Sequence, residues 1–250
     1  MVDKMKIALI VPAFNEEKNL SQLVPRFNNV CSLLESNNFA VEIVLINDGS
    51  NDNTEKVARQ NGFTVISHPF NLGVCAALQT GFIYAQNKQH DCLITIDADG
   101  QHNPEDVLLL LKEFEIGKTD VVIGSRFLHQ TNYKKNIPRY IGIKMFSAIV
   151  KLLTHKIIND VTSGFRIFNR KAISFLAKNF PTDYPDAEML ILLSKFGFSI
   201  KEVSLEMNPR LSGQSQHRFH KAIFYPFKNL VAICVVLIRS VLWNKKEANV

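Results

Sequence analysis

The chain has 250 residues, 46% of them hydrophobic and 21% charged, the balance of a globular protein with enough core to fold unaided. Its four cysteines (Cys31, Cys75, Cys92, Cys234) stand far apart without a C-x-x-C pair, which argues against zinc or redox chemistry and for reduced core thiols. The formal net charge of +6 is uneven: Lys and Arg gather at 126–170 and 201–246, acids in the loops near 16, 48, 97 and 105, and no nucleic-acid motif accompanies them.

The first apolar run, Ile7–Phe14, is short, contains Pro12 and leads into Asn15-Glu16-Glu17. It reads as a strand and not as a signal peptide, so a cytoplasmic location is expected. Further strands are expected at Val41–Ile46, Phe63–Ser67, Cys92–Ile96 and Asp120–Ile123, where apolar and β-branched residues run together. Helical patterns fill 17–36, 53–61, 73–87 and 104–116 between them. Such alternation predicts an α/β fold with a mostly parallel central sheet covered on both faces. Each strand ends in a polar loop, and in open α/β sheets the ligand lies beyond the carboxyl ends of the strands. The loops Pro12–Glu16, Asn47–Ser50, Pro69–Gly73 and Asp97–Gln101 are therefore expected to share one crevice.

The second half reads as a basic loop (Ser125–Arg139), a helix (Tyr140–Leu153), a turn with a strand-like piece (Asp160–Phe168), two helices and a strand (Ser199–Met207). It completes the site and forms no domain of its own, so the boundary is placed between a catalytic unit, 1–208, and a basic loop with a terminal helix, 209–250. In that last segment the longest uncharged apolar run, Leu230–Ile238, falls short of the roughly 20 residues that cross a bilayer. Flanking cations (Lys221, Lys228, Arg239, Lys245, Lys246) with Phe224, Tyr225, Phe227 and Trp243 fit an amphipathic helix lying on a membrane surface. The helix fits equally against the body of the domain or a second copy of the chain, so a homo-oligomer is the competing expectation.

Asp97-Ala98-Asp99 follows a strand that should be central, and two carboxylates at one strand end need a cation to offset their repulsion. Alone, the pattern is also that of a solvated turn with an Asp cap. Its company decides. Val11-Pro12-Ala13-Phe14-Asn15-Glu16-Glu17, Ile46-Asn47-Asp48-Gly49-Ser50-Asn51-Asp52, Asn71-Leu72-Gly73, Asp97-Ala98-Asp99-Gly100-Gln101, Gly124-Ser125-Arg126 and Thr162-Ser163-Gly164-Phe165-Arg166 occur in one order along the chain. Over about residues 5–215 the chain resembles family 2 glycosyltransferases of the GT-A fold, and most of all their dolichyl-phosphate mannosyltransferase and polyprenyl-phosphate glycosyltransferase branch.

The resemblance implies an inverting transferase that uses a nucleoside diphosphate sugar (UDP-, GDP- or dTDP-). It assigns nucleotide-sugar binding to Pro12, Ala13, Glu16, Asp48 and Asp97, and Mg2+ or Mn2+ to Asp97, Asp99 and Gln101. It places Arg126, Arg139, Ser163, Arg166 and Arg210 around the donor diphosphate and a phosphate acceptor, with Asp160, Arg126 and Arg166 catalytic. Asn47 departs from the second aspartate common in relatives. Glu16 and Glu17 also suit a helix first turn, and Asp48 with Ser50 a turn and cap. His68 and His102 read as hydrogen-bonded spectators.

A lipid phosphate acceptor, largely dianionic at neutral pH, attacks without a base. A sugar hydroxyl of a polysaccharide or glycolipid needs a carboxylate, for which Asp160, Asp186 and Glu188 are candidates. Whether Asp160 is a base or orients an arginine stays open at this stage. The late loop Arg210–Arg218 suits either a lid over the donor phosphates or a linker. A non-catalytic nucleotide-sugar-binding protein would have lost the metal ligands, and an oxidoreductase of dinucleotide type would show G-x-G-x-x-G after the first strand; neither is seen.

Overall fold

The computed structural model describes residues 4–128, 137–181 and 186–208, with 137–139 described by backbone alone. Arg210, the 210–218 loop, Cys234 and the terminal helix expected at 221–243 lie outside the described residues.

The first half follows the predicted alternation: β1 (Met5–Ala13), α1 (Glu17–Ser36), β2 (Phe39–Asn47), α2 (Thr54–Gln60), β3 (Thr64–Ser67), α3 (Val74–Asn87), β4 (Cys92–Thr95), a short 3-10 turn at Pro104–Asp106, α4 (Val107–Gly117) and β5 (Val121–Ser125). The second half adds α5 (Ile137–Thr154), β6 (Arg166–Asn169), α6 (Arg170–Asn179), α7 (Ala187–Lys195) and β7 (Ile200–Ser204). All seven strands join one sheet in the order β3-β2-β1-β4-β6-β5-β7. β6 runs against both its neighbours, whereas β1, β2, β3 and β4 are parallel, as are β5 and β7. The sheet is thus mostly parallel, with one reversed strand in its centre.

β1 explains why the sheet must be covered twice. Ile7, Leu9 and Val11 face the core under α1 and α4, while Ala8 and Ile10 face the core under α3, α5, α6 and α7. A strand buried on both sides reads as a continuous apolar run, which is what Ile7–Val11 is. The turn and strand-like piece expected at Asp160–Phe168 divide into a turn, joined to Arg126 through Asp160, and β6 from Arg166. The strand expected at Ser199–Met207 is shorter than its pattern. β7 stops at Ser204, after which Asn208 leaves the sheet to donate its N–H to the Gln101 carbonyl (2.9 Å).

The strand-end loops touch one another. Gly49 sits at φ +70°, and a Cβ there would lie 2.4 Å from the Phe70 carbonyl carbon, so the loops after β2 and β3 pack backbone on backbone. Gly49→Ala is expected to lower stability by about 2 kcal/mol or more, because it adds a clash to a left-handed φ. Urea unfolding of the variant against the parent chain checks this.

Candidate functional site

The loops after β1 and β2 are stapled side by side. The Asn15 amide donates to Ser50 Oγ (2.9 Å), the Glu16 amide to Thr54 Oγ1 (2.9 Å) and the Asn51 amide to Asn15 Oδ1 (2.8 Å). Glu17 receives the Asn53 backbone and side-chain amides at 3.1 and 3.0 Å. Glu16 turns its carboxylate to Asn19 Nδ2 (2.5 Å), while Pro12 and Ala13 are buried at the end of β1.

Asp48 is buried and holds the third loop. Its Oδ1 accepts the Leu72 amide (2.9 Å) and faces His68 Nδ1 (2.8 Å), and its Oδ2 accepts the Gly73 amide (2.8 Å). His68 continues through Nε2 to Thr80 Oγ1 (2.9 Å) on α3. The histidine read from sequence as a spectator therefore bridges Asp48 to α3. The expectation of an Asp48 turn and cap is met by other residues: Asn47 Oδ1 closes the turn on the Ser50 amide (3.0 Å), and Asp52 Oδ1 accepts the Thr54 amide (3.0 Å).

Asp97 and Asp99 follow β4, Asp97 half-buried and Asp99 buried. Asp99 Oδ1 accepts the Gln101 amide (3.0 Å), which curls the loop back on itself. Thr95 Oγ1 donates to the Gly164 carbonyl (2.6 Å), pulling the 163–164 turn over the strand end. A Cβ on Gly164 would stand 2.8 Å from Asp97 Oδ2, so only glycine leaves that carboxylate its room. On the far side Arg26 of α1 holds Asn103 Oδ1 (2.9 Å) and Glu105 (2.5 Å). The loop is thus pinned at both ends with two carboxylates between.

The donor set fits a hard divalent cation: two aspartates and the Gln101 carbonyl are oxygen ligands. Among the described residues no cluster of three His, Cys, Asp or Glu forms a closed metal cage. An ion here would take its remaining ligands from elsewhere, as Mg2+ commonly does from substrate phosphates and water.

Next to this loop lies a buried charge cluster. Arg126, 2% exposed, places Nε 2.6 Å from Asp160 Oδ2 and Nη2 2.6 Å from Asp160 Oδ1, and its own amide donates to the same carboxylate at 3.0 Å. Nη2 also reaches Thr162 Oγ1 (2.7 Å). Burial opposes ionisation of Asp160, but the Arg126 hydrogen bonds and charge outweigh it and hold the carboxyl below the usual range. The backbone that carries Asp160 is clamped by Glu202 of β7, which accepts the Asn159 and Asp160 amides at 2.8 and 2.9 Å. The fork of Arg126, set by the sequence reading against the donor diphosphate, is turned here to Asp160 and Thr162. Asp160, whose part as base or arginine partner the sequence left open, is fully buried and ion-paired to Arg126.

Arg166, 3% exposed, donates from Nη2 to the Val161 carbonyl (2.8 Å) and lies 3.9 Å from Asp186. Its Nε is buried and has no hydrogen-bond partner among the described residues. Burial lowers its pKa, with Asp186, Asp160 and Asp97 pulling the other way, and it stays a cation. A cavity of about 30 Å³ borders Arg166, Ser163, Thr95, Asp186 and Met189, room for one water-sized group beside the orphaned donor. His102 packs on Phe165 (5.0 Å between ring centres), and burial first, then Arg126, pushes its pKa down to about 4. It is a neutral wall.

The structure thus gathers Asp97, Asp99, Gln101, Ser163, Arg166, Arg126 and Asp160 around the ends of β4, β5 and β6, with Pro12, Ala13, Glu16 and Asp48 at the ends of β1 and β2. Arg139 belongs to α5, its side chain outside the description. Sequence reasoning passed over Glu202 and, although it quoted Thr162 within a motif, gave that residue no role of its own. Glu202 sits in an ordinary strand, and only the pairing of β7 with β5 reveals its work.

The sequence profile described as "Glycosyl transferase family 2" matches residues 8–176. A UDP-N-acetylglucosamine–dolichyl-phosphate N-acetylglucosaminyltransferase of Methanococcus voltae is 32% identical over 82% of this chain and 86% of its own length. A dolichyl-phosphate beta-glucosyltransferase of Trichomonas vaginalis is 30% identical over 81% of this chain, which spans 65% of that protein. Among solved structures, glucosyl-3-phosphoglycerate synthase from Mycobacterium tuberculosis, in complex with Mn2+ and UDP-glucose, superposes with a TM-score of 0.66. That match has 19% identity and covers 92% of this chain and 79% of the other, a likeness of fold.

Asp160→Asn removes the partner of a buried guanidinium and is expected to cost about 3–5 kcal/mol. Because the folded pKa of Asp160 is depressed, its contribution is complete above the unfolded value of about 4 and is lost as pH falls through the folded one. The Tm gap between parent and variant should be flat from roughly pH 5 to 8 and narrow only below about pH 4, as a pH series of thermal melts will read.

Proposed function

The chain belongs to glycosyltransferase family 2, and from that membership we propose that it moves a hexose-type sugar from a nucleoside diphosphate donor, with inversion, to the phosphate of a polyprenyl- or dolichyl-type lipid. The observation that carries the choice of acceptor is the locked state of Asp160: the buried carboxylate nearest the cluster is spent on Arg126. An acceptor that needs no base suits such a site. A phosphate monoester, with its second pKa near 6, presents an unprotonated oxygen at neutral pH. That oxygen attacks the anomeric carbon from the face opposite the leaving group. The bond from that carbon to the diphosphate oxygen breaks, the nucleoside diphosphate departs with the electron pair, and no proton is transferred. The names of the archaeal and protist relatives support the same acceptor class.

In this reading the ends of β1 and β2, with Pro12, Ala13, Glu16 and the loop that Asp48 pins, receive the nucleotide. Asp97, Asp99 and Gln101 would hold Mg2+ or Mn2+, which would supply positive charge against the negative charge building on the departing diphosphate. The Mn2+ and UDP-glucose of the mycobacterial synthase support a divalent ion and a UDP-sugar. Arg166 lends its charge, and its orphaned Nε, to the anion beside Ser163. Arg126 acts through position: with Asp160 it fixes the turn that carries Thr162 and Ser163. Arg139 and Arg210 are further cations for the lipid phosphate, and the enzyme works at a membrane surface because its acceptor is there.

The test is a transfer assay with Mg2+ or Mn2+, a panel of UDP-, GDP- and dTDP-sugars and polyprenyl phosphate in detergent. A lipid-linked monosaccharide is the expected product. Donor hydrolysis without it would move the acceptor to a sugar hydroxyl, with Asp186, half-buried beside Arg166, as the carboxylate in reach. In the same assay Asp99→Asn should lower turnover by roughly a hundredfold or more with Tm unchanged. Parental turnover with chelator present would remove the metal from the account.

A further inference from the structure

Helix α5 has two faces of different character. Ile143, Phe146 and Val150 are buried in the core shared with α3, α6 and α7. Opposite them Ile141, Met145 and Leu152 are 63%, 41% and 75% exposed, with exposed Ala148 between. Spaced at i, i+4, i+7 and i+11, these four lie within roughly 60° of arc. Lys144 and Lys151, also exposed, flank the stripe along one edge. Just past the helix, Ile157 adds another exposed apolar side chain (70%).

Charge is as one-sided as hydropathy. Between Arg126 and Asp160 the chain has no Asp or Glu, yet it carries Lys134, Lys135, Arg139, Lys144, Lys151 and Lys156. A surface helix facing water normally carries acids among its bases on the outer face. An apolar stripe edged by cations and free of acids instead matches the headgroup boundary of an anionic bilayer, where alkyl chains enter the acyl region and ammonium groups meet lipid phosphates.

The helix is also tied to the reaction centre. Tyr140, in its first turn, stacks edge-on against Phe127 (5.3 Å), the residue after Arg126. Two residues past Met145, the Ser147 hydroxyl donates to the Asn159 carbonyl (3.3 Å), beside Asp160. A surface seated on the stripe would therefore bear on both chain segments that place the Arg126–Asp160 pair.

We propose that the outer face of α5, Ile141, Met145, Ala148 and Leu152 with Lys144 and Lys151, docks this protein on an anionic lipid bilayer and brings the site to its acceptor. The choice of a bilayer rests on the lipid-phosphate reading of the site. The segment 209–250, also basic and apolar, adds its own affinity, so the comparison that isolates α5 is between full-length chains that differ only in the stripe.

The experiment is co-sedimentation of the full chain with vesicles of phosphatidylcholine containing phosphatidylglycerol, and with phosphatidylcholine alone, at low and high salt and without donor or acceptor. The parent chain should partition onto the anionic vesicles and lose affinity in salt. Met145→Glu/Leu152→Glu should lower the partition coefficient about tenfold or more, since two apolar anchors become anions. Ile116→Glu, on α4 and 70% exposed, is the matched control and should bind as the parent does. Should the double variant lose its parental Tm, Leu152→Ser carries the test in its place with a smaller loss. Equal partition of parent and stripe variants overturns the proposal. So does a stripe variant whose only change is loss of a dimer in light scattering, which would assign the face to a second copy. Because binding is read without turnover, a chain that shows stripe-dependent binding but makes no lipid-linked sugar contradicts the acceptor reading alone.

Discussion

The ion pair between Arg126 and Asp160 sets the terms for everything around it. Two charges taken out of water cost several kcal/mol each unless geometry and further hydrogen bonds repay them. Here the guanidinium meets the carboxylate with two donors at 2.6 Å, and the Arg126 amide and Thr162 hydroxyl complete the set. That geometry requires β5 to end where Ser125 hands the chain to Arg126, and the 159–163 turn to lie directly against it. Glu202 secures the second condition from β7, the strand paired with β5. The pair thus joins three distant stretches of chain, and breaking it leaves an uncompensated charge in the interior.

Around that fixed point the strand ends divide the work by charge. On the left of the sheet the β1, β2 and β3 loops are held by neutral staples and by Asp48, whose oxygens face backbone amides and His68. In the centre Asp97 and Asp99 stand on β4, with Gly164 giving Asp97 its space. Below and beside them Arg166 lies buried, its cationic charge facing Asp97, Asp160 and Asp186. In the proposed reading, these alternating fixed charges would receive a ligand that brings both a diphosphate and a second phosphate.

Much of this was legible in the sequence, and the reasons are physical. Apolar runs such as Ile7–Val11 and Cys92–Thr95, alternating with helical patterns, fit doubly buried strands, and the polar residues that follow them then lie at one edge of a parallel sheet. The Asp97–Gln101 and Thr162–Arg166 segments were recognised as site material, and the structure brings them together through Thr95 and Gly164. The reversal of β6 was not legible, because four residues of strand carry no mark of direction. Nor was the partner of Asp160: Arg126 lies 34 residues away, and their meeting follows from the pairing of β5 with β6. His68, read as a hydrogen-bonded spectator, is hydrogen-bonded, but its partners were not legible for the same reason, since Asp48 and Thr80 reach it only once β2 and β3 are paired and α3 lies across them.

The central claim is that this site hands a sugar to a phosphate and asks no side chain to remove a proton. It follows from an aspartate already committed to an arginine, beside a cation with an unmet donor. The most direct measurement compares two acceptors of equal chain length, polyprenyl phosphate and the corresponding polyprenol, with one sugar donor under one set of conditions. The account predicts a glycosylated product from the phosphate and none above background from the alcohol. Comparable glycosylation of the alcohol would mean that a carboxylate base operates in the site, and would contradict it.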